Sequence, residues 1–234
     1  MVDELELNTY LFISPSEFGI YLLNTKDLKN LYENEIKIKT EKNEINLIIL
    51  NEFLEKNIFK IEKLIGGFIK NIYLIIESDK IINVNLCPQN KNYDQNINQN
   101  NLKNILTDAK DLFKENYREY KIMHMVINEL LLDGSDYPKI LGNIKTKEFN
   151  LEIEFLAVPN DLIIKIEDVL KNYQIKLTKH LSKIYLQNLF NLEETKLSIQ
   201  AHKIINGYNE NEVSLVSKKL KKQGFFEKFF QLFS

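Results

Sequence analysis

The residues of this chain best suited to do chemistry stand near its C-terminal end, where positions 217–234 read SKKLKKQGFFEKFFQLFS. Gly224 divides a basic run (Lys218, Lys219, Lys221, Lys222) from a phenylalanine-rich segment. On a helix, Phe225, Phe226, Phe229, Phe230, Leu232 and Phe233 share one arc of about 160°. Glu227, Lys228, Gln231 and Ser234 fill the remainder. A helix docked on the protein's own core would show the same separation. The aromatic face, the basic run and the glycine hinge favour an interfacial helix lying in a membrane surface. Burying a Phe is worth about 1.5–3 kcal/mol at most, and each lysine near an anionic leaflet adds about 1 kcal/mol. Such a tail, with Lys228 on its polar side, anchors reversibly.

Other constellations offer less. His124, His180 and His202 are scattered without metal-ligand spacing. Gly66-Gly67 reads as a helix stop, not a phosphate loop, and neither a nucleophile-elbow nor a zinc signature occurs. Glu152 and Glu154 sit on the solvated side of an alternating strand, the ordinary place for acids. The lysine run lacks the arginines and interleaved aromatics of a nucleic-acid surface, and the net charge of −2 points the same way. No catalytic, metal or cofactor residue is therefore assigned, and no nucleic acid is expected as a partner. Cys87 is the single cysteine, which rules out an intrachain disulfide and suits a reducing cytoplasm. The acidic start (Met1, Asp3, Glu4) is not that of a signal peptide, and no apolar run is long enough to span a bilayer. Peripheral attachment is the expectation.

The elements that must position a tail of this kind come next. Positions 9–14 and 19–23 read as strands joined through Pro15-Ser16-Glu17, and a third strand is expected over 35–39. Leu50, Phe53, Leu54, Ile58, Ile61, Leu64 and Ile65 recur at helical spacing. Strands follow at 71–77 and 80–86, then an asparagine-rich stretch, 88–101, that reads as a solvated loop. Leu102, Ile105, Leu106, Ala109, Leu112, Phe113 and Tyr117 form an amphipathic helix. Positions 122–127 are apolar on both sides of the pleat, as in a strand covered on both faces. Asp133-Gly134 is a turn, and 150–158 alternates, with Leu151, Ile153, Phe155 and Ala157 on one side. Asn160 reads as the N-cap of a helix through Tyr173. A short strand at 175–177 and a helix at 180–190 follow. Positions 198–205 and 212–216 read as a hairpin around Asn206-Gly207.

This order resembles the bacterial cell-division protein FtsA. That family carries an inserted strand–helix–strand–strand module with a Tyr-x-x-Asp-Gly strand end, an Asn-Pro-x-Gly loop and a long strand. The counterparts here are Leu130-Leu131-Leu132-Asp133-Gly134, the loop 138–142 and the strand 151–158. An amphipathic helix behind a linker also ends the chains of that family. The resemblance implies an α/β protein: a reduced actin-like lobe, an FtsA-like strand–helix–strand–strand subdomain and a C-terminal amphipathic helix. The expected division is 1–86 and 182–217 for the actin-like region, 87–181 for the subdomain and 218–234 for the linker and membrane helix. It implies a non-enzymatic divisome scaffold that positions FtsZ or other division proteins at the membrane and self-associates. The surface around Asp133, Gly134, Tyr137, Lys139 and Lys145 would make the protein contacts. The family holds nucleotide phosphate on an Asp-x-Gly-Thr loop in the first hairpin. Here that place reads Ile13-Ser14-Pro15-Ser16-Glu17-Phe18-Gly19, without the Asp and with a proline that removes an N–H. This argues against ATP held in the family's way. The alternatives are an ATP-binding member with a degenerate motif and an actin-like platform of the type IV pilus kind.

Overall fold

Two apolar runs near the N-terminus, LNTYLFI and EFGIYLLN, form neighbouring strands whose side chains are buried almost throughout, as central strands covered on both faces must be. The computed structural model describes residues 6–39, 43–91, 96–97, 99–136, 144–145, 148–190 and 195–213. Its elements open with β1 (Leu7–Ile13), β2 (Glu17–Asn24), β3 (Lys29–Lys37), α1 (Leu47–Ile65) and β4 (Asn71–Ile76). There follow β5 (Ile82–Leu86), β6 (Gln89–Lys91), β7 (Asn96–Ile97), α2 (Gln99–Asn116), β8 (Tyr120–Leu132), β9 (Ser135–Asp136), β10 (Ile144–Lys145) and β11 (Glu148–Pro159). The chain continues through α3 (Asn160–Lys171), β12 (Lys176–Ser182), α4 (Lys183–Leu189) and α5 (Leu197–Ile205). Two units result, one drawn from 1–81 and 159–205, the other from 82–158 and the chain after α5.

The first unit is built on a sheet ordered β12-β4-β1-β2-β3. Strands β1, β2 and β3 form an antiparallel meander, while β4 and β12 run parallel to β1. Edge strand β3 alternates exposed and half-buried residues, whereas β1 does not. Helix α1 connects β3 to β4. The Asn46 side chain caps it by accepting from the N–H groups of Ile48 and Ile49, and Gly66, at φ 71°, ends it in the left-handed conformation. Its Leu50, Phe53, Leu54, Ile58 and Ile61 are buried. Residue Asn57 is buried among them, and both its amide groups are engaged. It donates to Phe53 O (2.6 Å) and accepts from the Tyr32 hydroxyl (2.6 Å) and Asn34 Nδ2 (2.8 Å). Helix α3 packs on α1, where the Tyr173 hydroxyl donates to Asn51 O (3.0 Å), and delivers the chain to β12 beside β4.

Between β4 and α3 the chain builds the second unit, a strand–helix–strand–strand order whose sheet runs β5-β11-β8-β9. Alternation along β11 places Phe149, Leu151, Ile153, Phe155 and Ala157 in one core with Leu102, Ile105, Leu106, Ala109 and Phe113 of α2. The rings of Phe113 and Phe155 stack at 4.9 Å. Asp133 (φ 48°) and Gly134 (φ 77°) form the two-residue turn between β8 and β9, with Leu132 opposite Ser135. Positive φ at both central residues is the type I′ geometry that Asp-Gly favours.

Several sequence expectations change. The expected hairpin over 198–205 is helix α5. Ser198, Ala201, Ile204 and Ile205 recur at helical spacing on its buried side, and Gly207 (φ 81°) stands just beyond the helix instead of in a hairpin turn. The chain then returns along β8, where Ile127 N–H donates to Asn211 O (3.0 Å) and Val213 N–H to Met125 O (2.8 Å). The polar stretch 88–101 holds β6, β7 and the start of α2, because β6 pairs through its backbone with β11. The third strand spans 29–37, not 35–39, and the short strand expected at 175–177 runs through 182. Asn160 is the first helical residue of α3; Pro159 holds the cap position without a side-chain bond. The unit boundaries fall at 81/82 and 158/159, not at 86 and 181. Strand β5 pairs with β11, whereas α3 and β12 complete the first sheet.

Candidate functional site

The membrane residues of the tail (Phe225, Phe226, Phe229, Phe230, Leu232, Phe233, Lys218, Lys219, Lys221, Lys222 and Lys228) lie outside the described residues, as do Tyr137 and Lys139. Asp133 and Gly134 are exposed at the β8–β9 turn. Lys145 is in β10, opposite Asn96 of β7. Glu154 accepts from Asn83 Nδ2 across β5 and β11.

In an open sheet with parallel strands, ligands bind at the carboxyl ends of those strands. Here the ends of β1, β4 and β12 meet. Glu77 N–H, just past β4, donates to Ile13 O at the end of β1 (3.0 Å). Lys183 Nζ, just past β12, lies 2.7 Å from Glu77 Oε2 and 4.6 Å from the centre of the Phe12 ring. Ser182 is fully buried and caps α4 by accepting from Tyr185 N–H. The β1–β2 connection closes on itself: Ser14 N–H and Ser14 Oγ both donate to Glu17 O (2.9 and 3.1 Å), and Ser16 O accepts from Ile38 N–H (2.7 Å). A phosphate cradle needs backbone donors turned outward. Ser14 has its donor turned inward, Pro15 has none, and Glu77 adds a carboxylate alongside. Ser14 and Pro15 thus offer no backbone N–H to a phosphate at this turn.

Close packing explains the Gly19 backbone in β2. A Cβ there would stand 2.5 Å from the Tyr21 hydroxyl, which donates to Glu35 Oε1. Burial and the nearby Glu35 carboxylate push the Tyr21 phenol well above its usual range. Two histidines serve structural pairs. His202 Nδ1 lies 3.2 Å from the Tyr10 hydroxyl, and burial pulls its imidazole below the usual range. Fully buried His124 pairs through Nδ1 with Glu212 Oε1 at 3.0 Å. Among the described residues no three His, Cys, Asp or Glu side chains gather in a metal-sized cluster. No described helix is long and apolar enough to cross a membrane.

Sequence reasoning missed Glu77 and Lys183. They stand 106 positions apart, and only the return of β12 to β4 joins them.

No family model and no curated protein matches this chain in sequence. Among solved structures it resembles a chain of the PilM–PilN type IV pilus biogenesis complex. The TM-score is 0.50 at 8% identity, covering 78% of this chain and 49% of that one. Weaker similarity extends to the cytoplasmic domain of EpsL, an inner-membrane component of the type II secretion system of Vibrio cholerae (TM-score 0.40, 7% identity, 76% of this chain, 59% of that one). It extends also to a Bacteroides thetaiotaomicron protein of unknown function described as having an actin-like ATPase fold (TM-score 0.35, 12% identity, 81% and 58%). The chain spans about half the length of the pilus protein it matches. Its fold is α/β of the actin-like kind, a single lobe carrying an inserted strand–helix–strand–strand unit.

Proposed function

We propose that this chain is a scaffold and not an enzyme. It is an actin-like lobe, tethered by its C-terminal segment to the inner leaflet of the cytoplasmic membrane, that holds an assembly of other proteins at that surface. The observation that carries the reading is the closed end of β1, β4 and β12. Where phosphate would require open donors, the Ser14–Glu17 turn bonds to itself and Lys183 is held by Glu77. A fold of this kind without that site retains its surfaces and loses its chemistry.

The assembly we favour is the division machinery, with FtsZ, a later division protein or a second copy of the chain as partner. The β8–β9 turn at Asp133 and Gly134 would supply the protein contact. Support comes from the strand–helix–strand–strand insertion and from the segregated phenylalanine face at 225–233. Co-sedimentation of the purified chain with FtsZ filaments tests this, and absence of FtsZ from the complex, with no self-association, removes the division role.

A second reading is an assembly platform of the type IV pilus kind, favoured by the likeness to the PilM–PilN complex. In this reading the chain would be held at the membrane by a partner membrane protein and would need no lipid anchor of its own. Loss of membrane association on removing that membrane protein, with the tail intact, would favour it.

A further inference from the structure

The C-terminal end of α1 presents apolar surface that the fold does not use. Phe59, Leu64 and Phe68 are 72%, 53% and 83% exposed. Scattered apolar residues on a surface need no explanation, but these stand close together at the last turns of α1 and the chain just beyond it. The chain there turns sharply: Gly66 and Gly67 N–H both return to Glu62 O (2.9 and 3.2 Å), and Ile69 N–H is held by the Glu62 side chain (3.2 Å). Phe68 is thereby displayed at the tip between two fixed points. The surroundings are open, since a Cβ added at Gly66 or Gly67 would meet nothing within 4 Å.

Charge is ordered around this tip. In helical projection Phe59, Lys63, Lys56, Lys60 and Leu64 share an arc of about 140°; exposed Glu52, one turn before Lys56 and farther from the tip, falls inside it, and Glu55 and Glu62 fall about 40–60° outside it. All three lysines are exposed. A lysine in the last turn complements the helix dipole, which accounts for Lys63 but not for the exposed phenylalanines beside it. A convex tip with aromatic residues at its summit and lysines on its flank matches a planar anionic surface better than it matches a protein groove.

We propose that the end of α1 is a second membrane-contact surface, taking anionic phospholipid, with Phe59 and Phe68 entering the interface and Lys56, Lys60 and Lys63 facing the headgroups. It operates whether or not the tail binds. With the tail, it would give the chain two attachments and so a fixed orientation on the membrane.

The chain contains no tryptophan, so Phe68→Trp makes a single reporter. The experiment uses the full chain carrying Phe226→Asp/Phe229→Asp, so that the tail does not drive binding. Vesicles are phosphatidylglycerol and phosphatidylcholine in equal parts, against phosphatidylcholine alone. The expected result is a blue shift of the indole emission on the anionic vesicles and little change on the neutral ones. Phe59→Ser should lower vesicle partitioning about tenfold, and Lys56→Gln, Lys60→Gln and Lys63→Gln about fivefold each. Unchanged emission on anionic vesicles would overturn the proposal, as would an equal shift on both lipids. Emission already blue in buffer with the native tail, and red once the tail is altered, would make the tail itself the occupant and overturn it equally. A native tail that fails to raise partitioning leaves this surface standing and removes only the tail anchor.

Discussion

Lys183 Nζ lies 2.7 Å from Glu77 Oε2 and 4.6 Å from the Phe12 ring centre, so one side chain ties the ends of β12, β4 and β1 together. Both charges are partly exposed, and the pair is accordingly worth at most about 1 kcal/mol, with a similar contribution from the ring. Lys183→Ala should therefore lower stability by about 1–2 kcal/mol, measured by urea unfolding. Glu77→Gln should cost less, because the contact with Phe12 remains.

Magnesium-ATP should neither bind saturably nor raise the melting temperature, because ligand binding to the native state alone always stabilises it. Calorimetric titration decides this. Saturation in the micromolar range would mean that the Ser14–Glu17 turn rearranges to release its donors, and the scaffold reading would give way to that of a nucleotide-binding protein.

Buried Asn57 joins α1 to β3 through Tyr32 and Asn34. Asn57→Ala leaves those partners partly desolvated without a bond and should destabilise by about 1–3 kcal/mol. Tyr32→Phe removes only one bond and should cost about 1 kcal/mol. Combined, the two should cost less than their sum, since they share an interaction. Denaturant midpoints of the two single variants and the double variant decide this.

Gly134 tests the β8–β9 turn. At φ 77°, with nothing within 4 Å of an added methyl, Gly134→Ala acts on the backbone alone. The expected loss, read from thermal or urea unfolding, is about 1–2 kcal/mol. Asp133→Asn should be near neutral, because Asn also accepts the left-handed conformation.

His202 has a folded-state pKa below its usual 6.5, chiefly through burial. The unfolded chain therefore binds the proton first as pH falls. Stability declines from the unfolded pKa downward and levels only below the folded pKa. His202→Gln should flatten the loss of stability as pH falls below the unfolded pKa of about 6.5. An unchanged slope in denaturant midpoints across that range would contradict the assignment.

Amphipathic helices are the most legible part of the fold. In α1, α2 and α3 the apolar spacing alone locates the elements, and in β11 strict alternation locates the face on α2. Asp133-Gly134 announces its turn because only a few residue types tolerate two positive φ angles. Helix α5 reads as a strand in sequence for a physical reason. Leu197, Ile199 and Ala201 alternate like a strand, and the preference of Asn206-Gly207 for a left-handed step serves a helix end as well as a hairpin. Strands β6 and β7 give no signal, since their pairing is carried by backbone bonds that asparagine-rich side chains do not advertise. Nor does the Glu77–Lys183 closure, which depends on where an inserted unit returns the chain. The tail at 225–233 lies outside the described residues.

Flotation of the full chain on vesicles of phosphatidylglycerol and phosphatidylcholine, with and without Phe226→Asp/Phe229→Asp, is the most direct test of the tethered scaffold. The account predicts that the native chain rises with the vesicles and that a clearly smaller share of the double variant does so, through the end of α1 alone, with its circular dichroism unchanged. Equal flotation of both proteins, or of neither, would contradict a tail that tethers this lobe to a membrane.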